Sequence, residues 1–214
     1  MESCYKSDNG FTLVEVLVTL AVSLVLLGAV WGFFENQHRN YSTQERLTEM
    51  QQNARAGLEM MSREIRMAGY NPTGAVGLPV CAGTNMASAS NSPCAGISNA
   101  SSNTVSFSAD LNGNGAVTPA TASANPGENI SYSIYTCGNH QCLGRTSNGS
   151  LQPLADHITG LTLTYYDSSD GIASDLSLIR KVKISLVAAT SAPDFKNVTR
   201  TMTLTADVTL RNYD

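Results

Sequence analysis

The sequence predicts an α+β fold, in which one long N-terminal helix precedes a head built on an antiparallel β-sheet. Three observations lead to this prediction. Residues 11–34 are apolar and contain one ionisable side chain, Glu15. Residues 47–68 carry an apolar stripe of helical period, and short segments after residue 100 alternate apolar with polar side chains, as strands with one buried face do. A helix followed by strands favours a sheet that packs on the helix.

Composition limits the classes of function. The 214 residues leave room for one domain of ordinary size after the apolar segment. The formal net charge is −4, from 13 basic and 17 acidic side chains, and the basic residues form no cluster. A mildly acidic chain of this kind lacks the electrostatic footprint of nucleic-acid binding, so we expect no nucleic-acid partner.

The apolar segment 11–34 is predicted to span a membrane once. At a rise of about 1.5 Å per residue it is long enough to cross a bilayer core of about 30 Å. A secretory signal peptide places its small-residue cleavage site after the apolar run, whereas here Gly10 precedes the run and no Ala-x-Ala site follows Phe34. We therefore expect the span to be kept. A plain, uncleaved single-span anchor is the alternative.

Residues 10–15 read GFTLVE and stand at the start of the span. This motif resembles the processing site of type IV prepilins and of type II secretion pseudopilins. The resemblance implies that a prepilin peptidase cuts between Gly10 and Phe11, removes the leader 1–10 and methylates the new amino terminus. It also implies a bacterial inner-membrane protein with a periplasmic head, which enters a pilus, at its tip, after assembly.

Glu15 has a physical role within this resemblance. A carboxylate in hydrocarbon costs about 3 kcal/mol or more unless it is neutralised or paired. Cleavage creates a cationic amine on Phe11 at nearly the same depth, and the amine of a neighbouring subunit can pair with Glu15 when helices pack side by side in a fibre. We therefore assign Glu15 to assembly.

The helix is expected to continue through residues 35–70. Its apolar stripe recurs at steps of three or four residues: Leu47, Met50, Ala54, Leu58, Met61, Ile65 and Ala68. Charged residues, among them Glu64, lie off this stripe. Gly69 is a natural helix stop, and Asn71-Pro72 opposes continuation, so the helix is predicted to end at Ala68.

Residues 50–58 read MQQNARAGL and residues 62–70 read SREIRMAGY. Together they resemble the helix end of PilW-type minor pilins. The resemblance implies assembly with other minor and major pilins on an inner-membrane platform, in a complex that primes or caps a type IV pilus, the fimbrium of motility and cell adhesion. A J-type minor pseudopilin of type II secretion would have a similar stem. A tip adhesin or a calcium-regulated binding module is the alternative from another class.

Residues 71–214 are expected to form the α+β head. Residues 71–100 are rich in Gly, Ala, Ser and Asn without a periodic pattern, and they are predicted to form a long loop. The predicted strands follow at Thr104–Ser108, Ile130–Thr136, Gly160–Tyr166, Ser177–Ala188 and Arg200–Arg211.

The cysteines indicate disulfides. Cys4 falls in the leader, and four remain in the expected exported domain: Cys81, Cys94, Cys137 and Cys142. Two local bonds, Cys81–Cys94 and Cys137–Cys142, are favoured among three connectivities because each pair is close in sequence, although spacing alone does not decide between them. A zinc site that uses these thiols and His140 is the alternative, but the pairs lack the C-x₂-C spacing of zinc ribbons.

Catalysis has little support in the sequence. His38, His140 and His157 fall on three different predicted elements, and no G-x-S-x-G motif or phosphate-binding loop is present. We therefore predict that the protein is not an enzyme.

One motif resembles a metal site, because residues 110–115 read DLNGNG. Asp110, Asn112 and Asn114 place oxygen ligands at the first, third and fifth positions before a glycine, as in the opening of a calcium loop. The closing glutamate is missing, since position twelve is Thr121 and the next acid is Glu128. Ca²⁺ is therefore the candidate cofactor, with a simple Asn/Gly turn between strands as the alternative.

Overall fold

The computed structural model describes residues 11–72, 80–82, 89–93, 96–113, 127–147, 149–195 and 197–212, with 80–82 and 89–93 described by their backbone alone. Within these ranges the chain forms one α-helix, α1 (Leu13–Arg66), followed by β-strands and a short 3₁₀ helix, Leu176–Leu178. The strands are β1 (Val80–Ala82), β2 (Ala89–Pro93), β3 (Ile97–Ala100), β4 (Thr104–Ser108), β5 (Asn129–Cys137), β6 (His140–Ser147), β7 (Ser150–Asp156), β8 (Ile158–Tyr166), β9 (Lys181–Ala189) and β10 (Thr201–Thr209).

The strands of the described ranges form three antiparallel sheets. The largest has the order β3-β4-β5-β6-β7, the second has the order β10-β9-β8, and β1 pairs with β2. One long apolar helix followed by antiparallel sheets confirms the predicted α+β, pilin-like fold. The chain divides into two compact units, Met1–Glu45 and Arg46–Asp214, which are described separately.

In the first unit, α1 begins next to Thr12. The Glu15 N–H donates to the Thr12 carbonyl at 3.1 Å and lies 3.3 Å from Thr12 Oγ1, so a side-chain oxygen serves one of the free donors at the helix start. Farther along the helix, Arg39 pairs with Glu35 at 2.9 Å, one turn apart.

In the second unit, α1 packs its apolar stripe into the core. Met50, Ala54, Met61 and Ile65 are buried, and Leu47 and Leu58 pack partly buried against them. Gly57 is also buried, and the stripe did not predict it. A Cβ at Gly57 would meet the Leu143 side chain at 3.1 Å and Ala155 Cβ at 3.2 Å, so glycine allows the helix to approach β6 and β7 closely.

The helix ends at Arg66, two residues before the predicted end at Ala68. The last turn tightens, because the N–H groups of Met67 and Ala68 donate to the carbonyls of Glu64 and Ile65, three residues back. Gly69 then adopts a φ of 75° and donates its N–H to the Ser108 carbonyl at 2.9 Å. Ala68 is buried as predicted, although it lies beyond the helix.

Both larger sheets contribute to the core. Val105, Phe107, Tyr132 and Leu143 of the five-stranded sheet are buried, and so are Leu163, Ile184 and Leu186 of the three-stranded sheet. Burial of each large apolar side chain stabilises the fold by about 1.5–3 kcal/mol. The alternation seen in the sequence of β8 and β9 thus marks their buried faces correctly.

The prediction of a loop over residues 71–100 was wrong in part, because β1, β2 and β3 lie within it. These strands have three to five residues each and are rich in Ala, Ser and Asn, so they carry no apolar alternation. The sequence also missed β6 and β7. Three consecutive residues of β6, Cys142 to Gly144, are buried, and β7 buries Ala155 alone, which hides the period of two in both strands.

The predicted strand Ser177–Ala188 begins later than expected. Its first residues belong to the 3₁₀ helix Leu176–Leu178 and to a connection in which Arg180 binds the carbonyls of Ser177 and Ile179. The strand β9 begins at Lys181. The last predicted strand, Arg200–Arg211, is β10, which is shorter by one residue at its start and two at its end.

Candidate functional site

The apolar part of α1 presents its side chains outward. The large apolar residues from Phe11 to Phe34 are each at least half exposed, and Phe11 itself is 82% exposed. By length and composition, α1 is the helix of the described residues that could cross a membrane. Such a surface is stable only when lipid or other helices cover it, which supports membrane anchoring.

The residues assigned to processing and assembly lie at the start of this surface. Phe11 and Thr12 precede the helix, and Glu15 is exposed in its first turn. A carboxylate at this position also interacts favourably with the helix dipole. Gly10 lies outside the described residues, so its role in cleavage stays a prediction.

A buried polar network fixes the end of α1 to the five-stranded sheet. Glu64 accepts hydrogen bonds from Arg145 Nε at 2.9 and 3.1 Å and another from the Tyr132 hydroxyl. The side chains of Arg145 and Glu64 are 11% and 14% exposed. The sequence placed Glu64 off the apolar stripe but did not reveal its partners, which come from β5 and β6.

Burial and the Glu64 carboxylate shift the pKa values of Tyr132 and Arg145. Burial raises the pKa of Tyr132 well above its ordinary value, and the hydrogen bond to Glu64 raises it further. Burial alone would lower the pKa of Arg145, but the hydrogen bond and the charge of Glu64 outweigh it and raise that pKa. The Arg145 guanidinium therefore stays charged, and the Tyr132 phenol stays neutral.

The β5–β6 hairpin carries a disulfide between Cys137 and Cys142, whose Cα atoms are 5.9 Å apart. The tight turn between the strands places Gly138 at a φ of 70°, where glycine has no steric cost. The other predicted bond, Cys81–Cys94, lies outside the described side chains: Cys81 is on β1, and Cys94 is not described. It stays a prediction that non-reducing peptide mapping can test.

Two histidines that the sequence treated as scattered lie together. The rings of His140 and His157 stack with centroids 4.2 Å apart and planes 17° apart. His140 begins β6, and His157 is the corner residue between β7 and β8. The two histidines thus lie on different elements, as expected, and strand pairing brings the hairpin end to that corner.

The proposed calcium ligands are placed as follows. Asp110 is fully buried, and its Oδ1 accepts the Gly113 N–H at 2.8 Å. Asn112 is exposed, and Asn114 lies outside the described residues. Glu128 is 1% exposed, and its carbonyl accepts the N–H of Ala109 at 3.0 Å. The chain therefore returns to bring the backbone at Glu128 beside the residue that precedes Asp110.

Two parts of the chain match known protein families. Residues 5–31 match the prokaryotic N-terminal methylation motif, which together with the exposed apolar helix defines a type IV prepilin-like protein. Residues 43–210 match the family described as prepilin peptidase-dependent protein B, and the chain belongs to this family. It is thus a minor pilin-like protein whose family is consistent with processing by prepilin peptidase. No curated protein and no solved structure matches the chain.

Proposed function

We propose that this protein is a PilW-type minor pilin, which helps to initiate or cap a type IV pilus and has no catalytic role. The observation that carries the proposal is a methylation motif at the start of an exposed apolar helix, followed by a packed head on the same chain. Its partners would be prepilin peptidase, other minor and major pilins, and the inner-membrane assembly platform.

The apolar helix would act as both anchor and assembly element. Its exposed side chains are covered by lipid before assembly and by neighbouring helices afterwards, so the exchange costs little hydrophobic free energy. The carboxylate of Glu15 supplies selectivity, because it is paired only when a neighbouring subunit brings its Phe11 amine to the same depth. Residues 71–214 would form the head, which projects into the periplasm and, after assembly, lies at the pilus tip.

Two measurements test this proposal. Mass spectrometry of the membrane-extracted protein should find an N-methylated Phe11 as the amino terminus, and Gly10→Val should leave the precursor uncut. Glu15→Ala should insert and be processed but should be depleted from sheared pili. The control is Glu35→Ala, which removes a carboxylate from the same helix beyond the span. Recovery of the intact Met1 form from cells with active peptidase, or equal recovery of both variants in pili, would contradict the proposal.

Deletion of the gene distinguishes the pilus function from its alternatives. Loss of surface pili is expected for an initiating or capping subunit. Intact pili with defective protein secretion would instead identify a J-type minor pseudopilin, and normal pilus numbers with lost surface binding would identify a tip adhesin.

We also propose that the segment 110–115 binds Ca²⁺ together with Glu128. The specific observation in favour is that Asp110 and Glu128 are both buried and that a backbone hydrogen bond from Ala109 to Glu128 holds their chain segments side by side, since carboxylate oxygens are preferred ligands of Ca²⁺. With one carboxylate and two amides in the loop, the Kd would fall at the weak end, around 10⁻⁴ to 10⁻³ M.

Thermal unfolding with and without calcium tests this second proposal. At 5 mM Ca²⁺ and a Kd of about 0.5 mM, binding would add about 1.4 kcal/mol and raise Tm by roughly 3–6 °C. Asp110→Ala should abolish the shift, whereas Asp207→Ala, which removes an exposed carboxylate from β10, should keep it. Absence of both a shift and a calorimetric heat in the unaltered protein would leave the segment as a simple turn.

A further inference from the structure

Four side chains that are metal ligands in other proteins converge where the β5–β6 hairpin meets the end of β7. They are Cys137, His140, Cys142 and Asp156, and their ligand atoms, one from each residue, all lie within 4.8 Å of one another. Strand register creates this cluster, because Cys137 pairs with His140 across the hairpin and Cys142 pairs with Asp156 on β7. The cluster is therefore built by the sheet and does not depend on a loop.

The sulfur of Cys142 carries no charge while the disulfide exists. Cys142 is fully buried, and its Sγ lies 3.1 Å from Oδ1 of Asp156. After reduction, a thiolate at this sulfur would lie next to the carboxylate of Asp156, which is exposed at the end of β7, and the two negative charges would repel each other. A divalent cation bound by the same atoms would remove this repulsion.

We propose that the reduced form of this cluster binds Zn²⁺ through Sγ of Cys137 and Cys142, the imidazole of His140 and the carboxylate of Asp156. Two thiolates, one imidazole and one carboxylate form a ligand set that suits Zn²⁺. Tetrahedral zinc places its ligand atoms roughly 3.3–3.8 Å from one another. The imidazole and the carboxylate lie near such positions, whereas the two sulfurs, which are bonded to each other in the disulfide, must separate after reduction. The stacked ring of His157 holds the His140 ring beside the cluster as a positioning residue.

Reduction of the disulfide must precede metal binding. A dithiol reductant gives two electrons and two protons to the Cys137–Cys142 bond, which becomes two thiols while the reductant becomes a disulfide. Zinc then binds both sulfurs, and each thiol releases one proton. Oxidation by a disulfide reverses these steps and expels the metal, since the sulfurs of a disulfide are poor ligands.

The metal would connect more of the head than the disulfide does. The covalent bond closes the β5–β6 hairpin alone, whereas the metal would also hold Asp156 at the end of β7. A chain that has not yet been oxidised would thus keep its hairpin closed, with both thiolates masked against wrong pairing with other cysteines. This inference concerns the redox state of the head and does not depend on the proposed role in pilus assembly.

Cobalt titration of the full-length protein in detergent tests the proposal. Serine is placed at Cys4, Cys81 and Cys94, so that every remaining thiol belongs to the cluster. After reduction with a phosphine, we expect one equivalent of Co²⁺ to produce the visible bands of a tetrahedral site and a sulfur-to-metal charge-transfer band, both lost on addition of Zn²⁺. The oxidised protein should show neither band.

Variants identify the ligands that are not sulfur. Asp156→Asn and His140→Ala should each weaken the affinity for Co²⁺ at least about tenfold while the charge-transfer band persists. The matched controls are Asp167→Asn and His38→Ala, which remove the same side-chain types elsewhere and should leave the affinity unchanged. If the reduced protein binds no stoichiometric Co²⁺, or if Asp156→Asn and His140→Ala bind it as tightly as the unaltered cluster, the proposal is wrong.

A stability measurement covers the case in which a variant folds poorly. Zn²⁺ should raise the Tm of the reduced protein that keeps all four ligand residues, and it should leave the Tm of the oxidised protein unchanged. An equal effect of Zn²⁺ on both redox states would also overturn the proposal, because it would place the metal elsewhere.

Discussion

Replacement of Arg145 by methionine removes the cation that pairs with Glu64 while it keeps most of the apolar stem of the side chain. The carboxylate then keeps the Tyr132 hydroxyl as a donor but loses both hydrogen bonds from Arg145 Nε. Loss of one partner from a buried ion pair typically costs 3–5 kcal/mol, because the other charge stays buried without compensation.

The exposure of the pair places its cost at the lower end of that range. With 11% and 14% of the two side chains exposed, some water reaches the site, so we expect a loss of about 3 kcal/mol. For a folded unit of this size, that loss corresponds to a fall in Tm of roughly 6–12 °C. The double variant Glu64→Leu, Arg145→Met should recover part of the loss, since it buries no unpaired charge.

Pulse proteolysis of the full chain in detergent measures these differences in the free energy of unfolding. The matched control is Arg39→Met, which removes an arginine from an ion pair with Glu35 on the same helix. Those side chains are 56% and 52% exposed, so the control should cost about 0.5 kcal/mol or less. Equal losses for Arg145→Met and Arg39→Met, or a double variant at Glu64 and Arg145 that is simply additive, would refute this account of how the helix end is held.

Two further predictions concern the core. Met61→Ala should destabilise the head by about 2–5 kcal/mol, because Met61 is completely buried and its truncation leaves a cavity in the core. A loss below about 1 kcal/mol in urea unfolding would contradict the packing of α1 described above. Stability should also fall above pH 10. Burial raises the pKa values of Tyr132 and Tyr165 in the folded protein, so the unfolded chain loses these protons first, and each tyrosine should cost about 1.4 kcal/mol per pH unit in that range. Tyr165→Phe should reduce this slope in urea unfolding measured from pH 9 to 11, and an unchanged slope would show that Tyr165 titrates normally.

The parts of the fold that the sequence predicted are those whose signal is local. The stripe from Met50 to Ile65 repeats with the helical period, and β8 and β9 alternate with a period of two, so each element could be recognised within its own span. The strand β6 could not be recognised, because Cys142, Leu143 and Gly144 are buried in succession and the alternation is lost.

The contacts that the sequence missed depend on pairing between distant segments. Glu64 and Arg145 are 81 residues apart, and a glutamate next to Arg63 at the edge of an apolar stripe looks like an ordinary solvent-exposed charge. The stack of His140 on His157 likewise requires that β7 lie beside β6. A single arginine in a strand without other Asp, Glu, Lys or Arg residues, as at Arg145, was the available sign of a nearby acid.

The order of the strands has a consequence for how the head folds as the chain emerges from its amino terminus. From β3 to β7, and again from β8 to β10, each strand pairs with its immediate neighbour in the sequence. Synthesis releases a chain from its amino terminus, and contacts between near neighbours form fastest. The larger sheet can therefore assemble hairpin by hairpin against the helix before the later strands have arrived. The second sheet is completed last, since the N–H of Leu210, which follows β10, donates to the carbonyl of Arg180. Until β10 arrives, β8 and β9 can pair without it, which leaves one edge of β9 open.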